Sequence, residues 1–263
     1  MGQFVADQHA FTTRDTTMMT GRLLLAGSLA ALIAGSAAAQ DVTYEVGGES
    51  FEGYFAAAEE SRGLVLIVHD WDGLDDYERR RADMVAELGF DAFAVDVYGA
   101  GNRPETTEAR IAATRTVLGD AERMQALMLG GLEEARRHSD ATDVIVMGYC
   151  FGGTVTLAMA RTGEIEDSVG YASFHGNFPD GPAWPADTAP LLIMHGGVDQ
   201  NPSMSDLAEF VAEAEEAGLT YDVEIYAGAD HAFTVFGGGR YQERADTRSW
   251  AAFGRFLDAR SGS

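Results

Sequence analysis

The only cysteine of the chain, Cys150, lies at the centre of the sequence GYCFGG at positions 148–153. A short apolar run at 144–147 precedes this segment, and a helical pattern follows it. The pattern G-x-C-x-G is the thiol version of a nucleophile elbow, in which glycines flank a residue held in a strained strand-to-helix turn. The following helix directs its N-terminal N–H groups at the thiol, which favours a thiolate. The alternative is a tight turn with an incidental cysteine.

A thiol nucleophile needs a base, and the base needs a carboxylate that orients it. Asp199 follows a predicted strand at 190–194, and His231 follows a predicted strand at 221–226. Both residues therefore fall in loops after strands, in the chain order nucleophile, acid, base that suits an elbow. We predict a catalytic triad of Cys150, Asp199 and His231.

An oxyanion hole needs two backbone N–H donors. Phe151, the residue after the nucleophile, supplies one, and we expect Trp71, in the loop HDWDGL at 69–74, to supply the other. Asp70 would then face the thiol and raise the pKa of Cys150 by like-charge repulsion, which keeps the resting thiol protonated. The alternative for Asp70 is a place in a solvated acidic loop that caps a helix.

Apolar patterning predicts the elements that position these residues. Continuous apolar runs predict strands at 64–68, 91–97, 144–147, 190–194 and 221–226. Helical spacing predicts helices at 76–88, 107–138 with a break near Gly130-Gly131, 153–161, 203–217 and 241–259. Alternation at 42–46 and 50–56 predicts an antiparallel hairpin at one edge of the sheet. The fold class is therefore α/β, with a mostly parallel central sheet and helices on both faces.

Composition restricts the partners. The 18 basic residues, all arginine, face 42 acidic ones, so the formal net charge is −24. Nucleic acid and anionic lipid would be repelled by this charge, and we expect neither as a partner. A single cysteine excludes an intramolecular disulfide and a multi-cysteine metal centre. We predict a monomer that acts on a small molecule and requires no metal and no cofactor.

The N-terminal segment predicts export. Residues 23–39 are apolar and rich in Gly, Ser and Ala, Arg22 precedes them, and three alanines end the run as a cleavage pattern. We expect residues 1–39 to be an N-terminal extension with a signal peptide, cleaved after Ala39. The mature chain, 40–263, would be one periplasmic or secreted domain without stable membrane insertion. The alternative is an uncleaved anchor, because the run sits at the lower length limit for a membrane span.

Together the motifs resemble those of the dienelactone hydrolase family, which has the α/β-hydrolase fold and includes carboxymethylenebutenolidase. The resemblance covers about 42–260 and rests on five motifs: VHDWxGL (68–74), VDVYGxGxRP (95–104), GYCFGG (148–153), HGxxD (195–199) and GADHAF (228–233). It implies the triad named above, the two oxyanion donors and a thiol-modulating carboxylate at Asp70. The family usually has glutamate at that position.

Two departures from the family concern the substrate. Members that act on dienelactone bind its carboxylate through two arginines, and the corresponding positions here are Val235 and Ala100. The resemblance therefore implies a neutral ester or lactone rather than dienelactone itself. Tyr98 and His175 are candidates for lining the pocket.

The predicted reaction is hydrolysis of an ester or lactone through a thioester acyl-enzyme, with water activated by His231. One alternative is a general carboxylesterase or thioesterase with the same triad. Another is a secreted binding protein that retains the scaffold without catalysis. Rapid stoichiometric alkylation of Cys150 would favour an enzyme over a binding protein.

Overall fold

The computed structural model describes residues 39–261. The predicted leader lies outside the described residues apart from Ala39, so export, cleavage and the division into 1–39 and 40–263 stay predictions. Within the described part of the chain, no helix is both long and apolar enough to cross a bilayer.

Eight strands of the described residues form one sheet in the order β1-β2-β4-β3-β5-β6-β7-β8. They are β1 Gln40–Val46, β2 Glu49–Ala56, β3 Leu64–Val68, β4 Asp91–Val95, β5 Val144–Tyr149, β6 Ser168–Phe174, β7 Leu191–Gly196 and β8 Tyr221–Tyr226. β2 pairs antiparallel with β1 and with β4, and the other neighbouring strands pair in parallel. The mostly parallel sheet with an antiparallel hairpin at one edge is confirmed.

Six helices cover the sheet: α1 Asp76–Glu87, α2 Thr107–Leu118, α3 Ala121–Ala135, α4 Phe151–Thr162, α5 Met204–Ala217 and α6 Glu243–Asp258. Successive residues of β3 belong alternately to two buried apolar clusters, one of which includes residues of α3, α4 and α5 and the other residues of α1 and α6. Because successive side chains of a strand point to opposite faces, both faces of the sheet are covered.

The predicted break of the helix 107–138 was placed wrongly. The helix ends at Gly119, and Asp120 begins α3 by accepting a hydrogen bond from the Arg123 N–H at 3.0 Å. The diglycine at 130–131 lies inside α3, where a Cβ on the second glycine would come within 2.6 Å of Val95. These glycines therefore allow close packing of α3 on the sheet rather than a break.

Arg81 of α1 joins α1 to α6 inside the protein. Its guanidinium is fully buried and forms an ion pair with Asp246 of α6 at 2.5 Å. It also donates to the Thr234 carbonyl oxygen at 2.9 Å. Its guanidinium carbon lies 4.2–5.4 Å from the ring centroids of Tyr77, Tyr149, Phe236 and Trp250. A buried cation requires an anionic or hydrogen-bonding partner, and aromatic rings around it stabilise it further. The Arg81 guanidinium has both.

Strand β6 completes the part of the sheet that positions the site. Sequence patterning places His175 at a strand end without delimiting the strand, and the structure supplies it as Ser168–Phe174 between β5 and β7. The loops that follow parallel strands meet at one edge of a sheet. The segments that carry Asp70, Cys150, Asp199 and His231 therefore converge.

Candidate active site

Cys150 occupies a sharp turn between β5 and α4. Its φ is +51°, a conformation that costs energy for a residue with a side chain. A Cβ on Gly152 would lie 2.6 Å from the His69 carbonyl oxygen, and one on Gly148 would lie 2.8 Å from the Gly153 nitrogen. Only glycine fits at these two positions, because backbone atoms cannot yield as side chains can.

The structure brings Cys150, His231 and Asp199 into one line of contacts. His231 Nε2 lies 2.9 Å from Cys150 Sγ, and His231 Nδ1 lies 2.9 Å from Asp199 Oδ2. The Asp199 side chain is fully buried, and its Oδ1 accepts from the Asn201 N–H at 2.8 Å. Since Nδ1–H donates to the carboxylate, Nε2 faces the thiol as an acceptor, which is the orientation that a base needs.

Asp70 lies close enough to the Cys150 thiol to change its pKa. Burial raises the pKa of Cys150 well above its usual range, and the nearby Asp70 carboxylate raises it further, while the Phe151 N–H lowers it. Burial also raises the pKa of Asp70 to about 6, with a further contribution from Asp72. At neutral pH the site therefore holds a protonated thiol next to a largely ionised carboxylate.

The two expected oxyanion donors differ in what they face. The Trp71 N–H donates to Asp70 Oδ1 at 2.6 Å. The Phe151 N–H interacts with the Cys150 sulfur and lowers the pKa of the thiol. The Trp71 N–H thus already donates a hydrogen bond to an anionic oxygen. It can donate to a substrate oxygen only if the Asp70 carboxylate moves away.

The Asp70 loop is held by a buried residue that sequence reasoning missed. Glu78 accepts hydrogen bonds from the N–H groups of Asp70 and Asp75, both at 3.0 Å. Burial raises the pKa of Glu78 well above its usual range. His69 Nδ1 contacts the Asp70 carbonyl oxygen at 2.6 Å, and its Nε2 accepts from the Val97 N–H at 3.3 Å. The capping-box spacing of Asp75 and Glu78 was the available sequence signal.

A buried histidine, His175, contacts the backbone of Cys150. His175, with φ +42°, accepts the Cys150 N–H at Nδ1 over 3.2 Å. Its Nε2 lies 2.8 Å from Thr234 Oγ1, which also accepts from the Tyr77 hydroxyl at 2.8 Å. Burial and the neighbouring His231 lower the pKa of His175 well below its usual range. His175 is therefore a neutral imidazole whose proton sits on Nε2.

These groups open on a cavity of about 760 Å³. Its lining includes the following sequence-predicted residues: Asp70, Trp71, Cys150, Phe151, Asp199 and His231. Tyr98 and His175, the candidates for lining the pocket, are not among its lining residues. The Tyr98 hydroxyl donates to the Trp71 carbonyl oxygen at 3.1 Å, and its ring stacks on Phe151. Val235 lines the cavity, whereas Ala100 does not.

The cavity has two unlike walls. The strand-end wall is the part of the lining outside α2, which follows the carboxyl ends of the strands and includes Cys150, Asp199 and His231. The α2 wall consists of Arg110, Ile111, Thr114 and Leu118 on one helix. Across residues 39–261, no group of three or more His, Cys, Asp or Glu side chains is arranged to hold a metal ion.

Comparison with known proteins places this geometry in a family. The sequence profile of the dienelactone hydrolase family matches residues 51–261. A Bradyrhizobium sp protein named probable 2-oxo-3-(5-oxofuran-2-ylidene)propanoate lactonase is 27% identical over 201 residues, which are 71% of this chain and 79% of the relative.

Two solved structures are similar in fold and sequence. The dienelactone hydrolase-like promiscuous phosphotriesterase P91, from metagenomic libraries, has a TM-score of 0.77 at 25% identity, over 85% of this chain and 98% of its own. The structure called m3DLH has a TM-score of 0.78 at 25% identity, with the same coverage. The chain belongs to the dienelactone hydrolase family of α/β-hydrolase-like proteins, which are hydrolases of ester and lactone bonds.

Proposed function

We propose that this chain hydrolyses a neutral ester or lactone through a Cys150–His231–Asp199 triad and a thioester acyl-enzyme. The observation that supports it most directly is the pair of 2.9 Å contacts that His231 makes, one to the thiol and one to the Asp199 carboxylate. A base between a nucleophile and an orienting acid is the arrangement that nucleophilic catalysis uses. Family membership supports the reaction class.

The first half of the reaction forms the acyl-enzyme. The substrate carbonyl oxygen takes the place of the Asp70 carboxylate at the Trp71 N–H and also contacts the Phe151 N–H. His231 Nε2 removes the Cys150 proton, and the thiolate forms a bond to the carbonyl carbon. Asp199 stabilises the imidazolium, and the two N–H groups stabilise the oxyanion. His231 then donates its proton to the leaving oxygen as the carbon–oxygen bond breaks.

The second half hydrolyses the thioester. His231 removes a proton from water while the water oxygen attacks the acyl carbon. The second tetrahedral intermediate collapses, the carbon–sulfur bond breaks, and the thiolate recovers its proton from His231. One water is consumed, and one carboxylic acid and one alcohol are released; a lactone releases both groups in one molecule.

The resting thiol is protected in this scheme. Burial and the Asp70 carboxylate both raise the pKa of Cys150, and displacement of the carboxylate by the substrate removes the second of these causes. The Cys150 thiolate would then form when a substrate carbonyl carbon is present for it to attack. This suits the exported location that we also propose, because a permanent thiolate in an oxidising compartment is prone to oxidation. The mass and N-terminal sequence of protein recovered from the periplasm or medium test export, and a mature start at Gln40 is expected.

The function is tested by turnover of aryl esters, lactones and thioesters by the purified full-length protein. Cys150→Ala is expected to lower kcat by about 10⁴-fold or more, because the nucleophile is lost. His231→Gln should have a comparable effect, whereas the matched change His138→Gln, at a helix end outside the cavity, should leave turnover unchanged. Activity retained by Cys150→Ala would contradict the proposal.

The general carboxylesterase or thioesterase alternative is decided by the same panel, since it differs in substrate rather than in machinery. An activated phosphotriester belongs in the panel because P91 is named a phosphotriesterase. A mass increase of one acyl group on Cys150 during turnover of a slow ester would support the thioester directly. A non-catalytic binding protein would show neither turnover nor acylation.

A further inference from the structure

The α2 wall presents aliphatic side chains to the cavity. Ile111, Thr114 and Leu118 lie three, four and seven residues apart, which places them on one face of the helix. Ile111 is 38% exposed and Leu118 is 41% exposed, although both line the cavity. Large hydrophobic residues this exposed number five within residues 39–261, so two of the five meet in this one wall.

These side chains do little for the fold. Val117 is the one buried residue of α2. An aliphatic group that stays in water gains no stabilisation, but it becomes favourable as soon as another apolar surface covers it. Small-molecule sites are cavities of this size with mainly apolar linings. An apolar ligand in the cavity would therefore bind favourably by covering the exposed aliphatic face of α2.

Loops and α4 supply further apolar surface to the same cavity. Trp71, Phe151 and Val235 also line the cavity, outside α2. Val235 stands where the resemblance implies an arginine for a substrate carboxylate. An apolar group that reaches from Cys150 toward α2 would thus meet apolar side chains from α2 and from the rest of the lining.

The charges of the lining do not favour an anionic substrate. The Arg110 guanidinium is already partnered by Asp72 at 3.6 Å and by the Pro104 carbonyl oxygen at 2.9 Å, and it lies 5.3 Å from the Trp71 ring. The other arginine of the lining, Arg240, is exposed at the rim. Against these two arginines the lining holds four carboxylates, at Asp70, Asp72, Asp199 and Asp230.

We infer that the α2 wall is a recognition subsite and that the substrate is a neutral ester or lactone with an extended aliphatic or aromatic group, which packs on Ile111 and Leu118 of α2. This inference rests on the proposed function and adds the substrate class. Ile111 and Leu118 are the residues that determine specificity.

The test compares short and long substrates. Purified full-length protein is assayed with 4-nitrophenyl acetate, butanoate and octanoate, and with phenyl and 2-naphthyl acetate, so that both sides of the scissile bond are sampled. We expect kcat/KM to rise about tenfold or more with apolar size in at least one series. In the double variant Ile111→Ser/Leu118→Ser, the ratio of large to small substrate should fall about tenfold.

The matched control is Ile225→Ser. Ile225 is 51% exposed on β8 and does not line the cavity, so the ratio should equal that of the wild type. Light scattering of the wild type and the double variant reports whether α2 is instead covered by a second copy.

Three results would overturn the inference: no size preference in either series, a preference that the double variant retains, or a dimer that the double variant dissolves. The first two leave the proposed function standing where turnover still depends on Cys150. Absence of any Cys150-dependent turnover would overturn the proposed function and, with it, the inference.

Discussion

The strand-end wall and the α2 wall of the cavity differ in how firmly their side chains are held. On the strand-end wall, His231 lies 2.9 Å from both Cys150 Sγ and Asp199 Oδ2, and the Asp199 side chain is fully buried. On the α2 wall, Ile111 and Leu118 are exposed aliphatic groups on a helix with one buried residue. Chemistry requires atoms held within a fraction of an ångström, whereas recognition of hydrocarbon requires area and tolerates movement.

The backbone shows the same contrast. Within the described residues, the three non-glycine residues with positive φ are Cys150, His175 and Ala232, and all three belong to or support the strand-end wall. α2 has regular helical geometry from its Thr106 cap to Gly119. Strained conformations persist only where surrounding contacts over-determine them.

The largest expected effect sharpens the difference between the walls. Asp199→Ala should lower kcat by about 10³–10⁴-fold, because His231 loses the group that fixes its tautomer and stabilises its cation. The loss should be the same for short and long esters. The matched control is Asp230→Ala, since Asp230 also lines the cavity but only accepts the His231 N–H, at 2.7 Å. Two results would contradict the separation of chemistry from recognition between the two walls. One is an equal loss of kcat in Asp199→Ala and Asp230→Ala; the other is a changed octanoate-to-acetate ratio of kcat/KM in Asp199→Ala.

The next effect concerns the hydrogen bonds of His175, which contacts the backbone of the nucleophile. Thr234→Val leaves His175 Nε2–H and the Tyr77 hydroxyl without an acceptor, and each lost partner costs about 1–3 kcal/mol of unfolding free energy. Thr156→Val is the control, since the equally buried Thr156 hydroxyl makes one bond, to the Gly152 carbonyl oxygen. Denaturant unfolding should show a loss at least twice that of the control, with Thr234→Ser near the wild type. A loss no greater than the control would mean that the strand-end wall does not depend on this network.

The smallest effect tests the carboxylate that opposes the thiolate. At pH 7.5 Asp70, with its pKa of about 6, is mainly ionised and raises the pKa of Cys150. Asp70→Asn should therefore move the pH profile of Cys150 alkylation by iodoacetamide about one unit lower, which is about tenfold faster at pH 7.5. Asp72→Asn, a more distant carboxylate, should move it less. An unchanged or higher profile in Asp70→Asn would show that the carboxylate does not control the thiol.

The elements that carry the site were predictable because their signals are local. Continuous apolar runs mark the buried parallel strands, and the glycines around Cys150 mark the turn. The order of strands in the chain then places Asp199 and His231 at one sheet edge. The edge hairpin of β1 and β2 follows from its alternation. These are short-range patterns that do not depend on distant partners.

The missed features depend on distant partners. Arg81 lies in a run of three arginines that is typical of a solvated helix face, and its burial is set by Asp246, 165 residues later. Thr234 carries no sequence signal for its place between His175 and Tyr77. The diglycine at 130–131 has the local pattern of a break, and only the packing of α3 on Val95 gives the true reason for it. α2 has only one buried residue, so its sequence shows no apolar stripe of the kind that normally identifies the buried face of a helix. Its contribution to the cavity therefore could not be predicted.

The Arg81–Asp246 pair has a consequence for the order of assembly. A chain growing from its N-terminus completes the sheet with β8 at residue 226, but the carboxylate for the buried guanidinium arrives only with α6. Until then a closed core would enclose an unpaired cation, which is strongly unfavourable. Closure of the core around Arg81 therefore requires α6, so the packing between α1 and α6 can be completed only after the last helix has been synthesised.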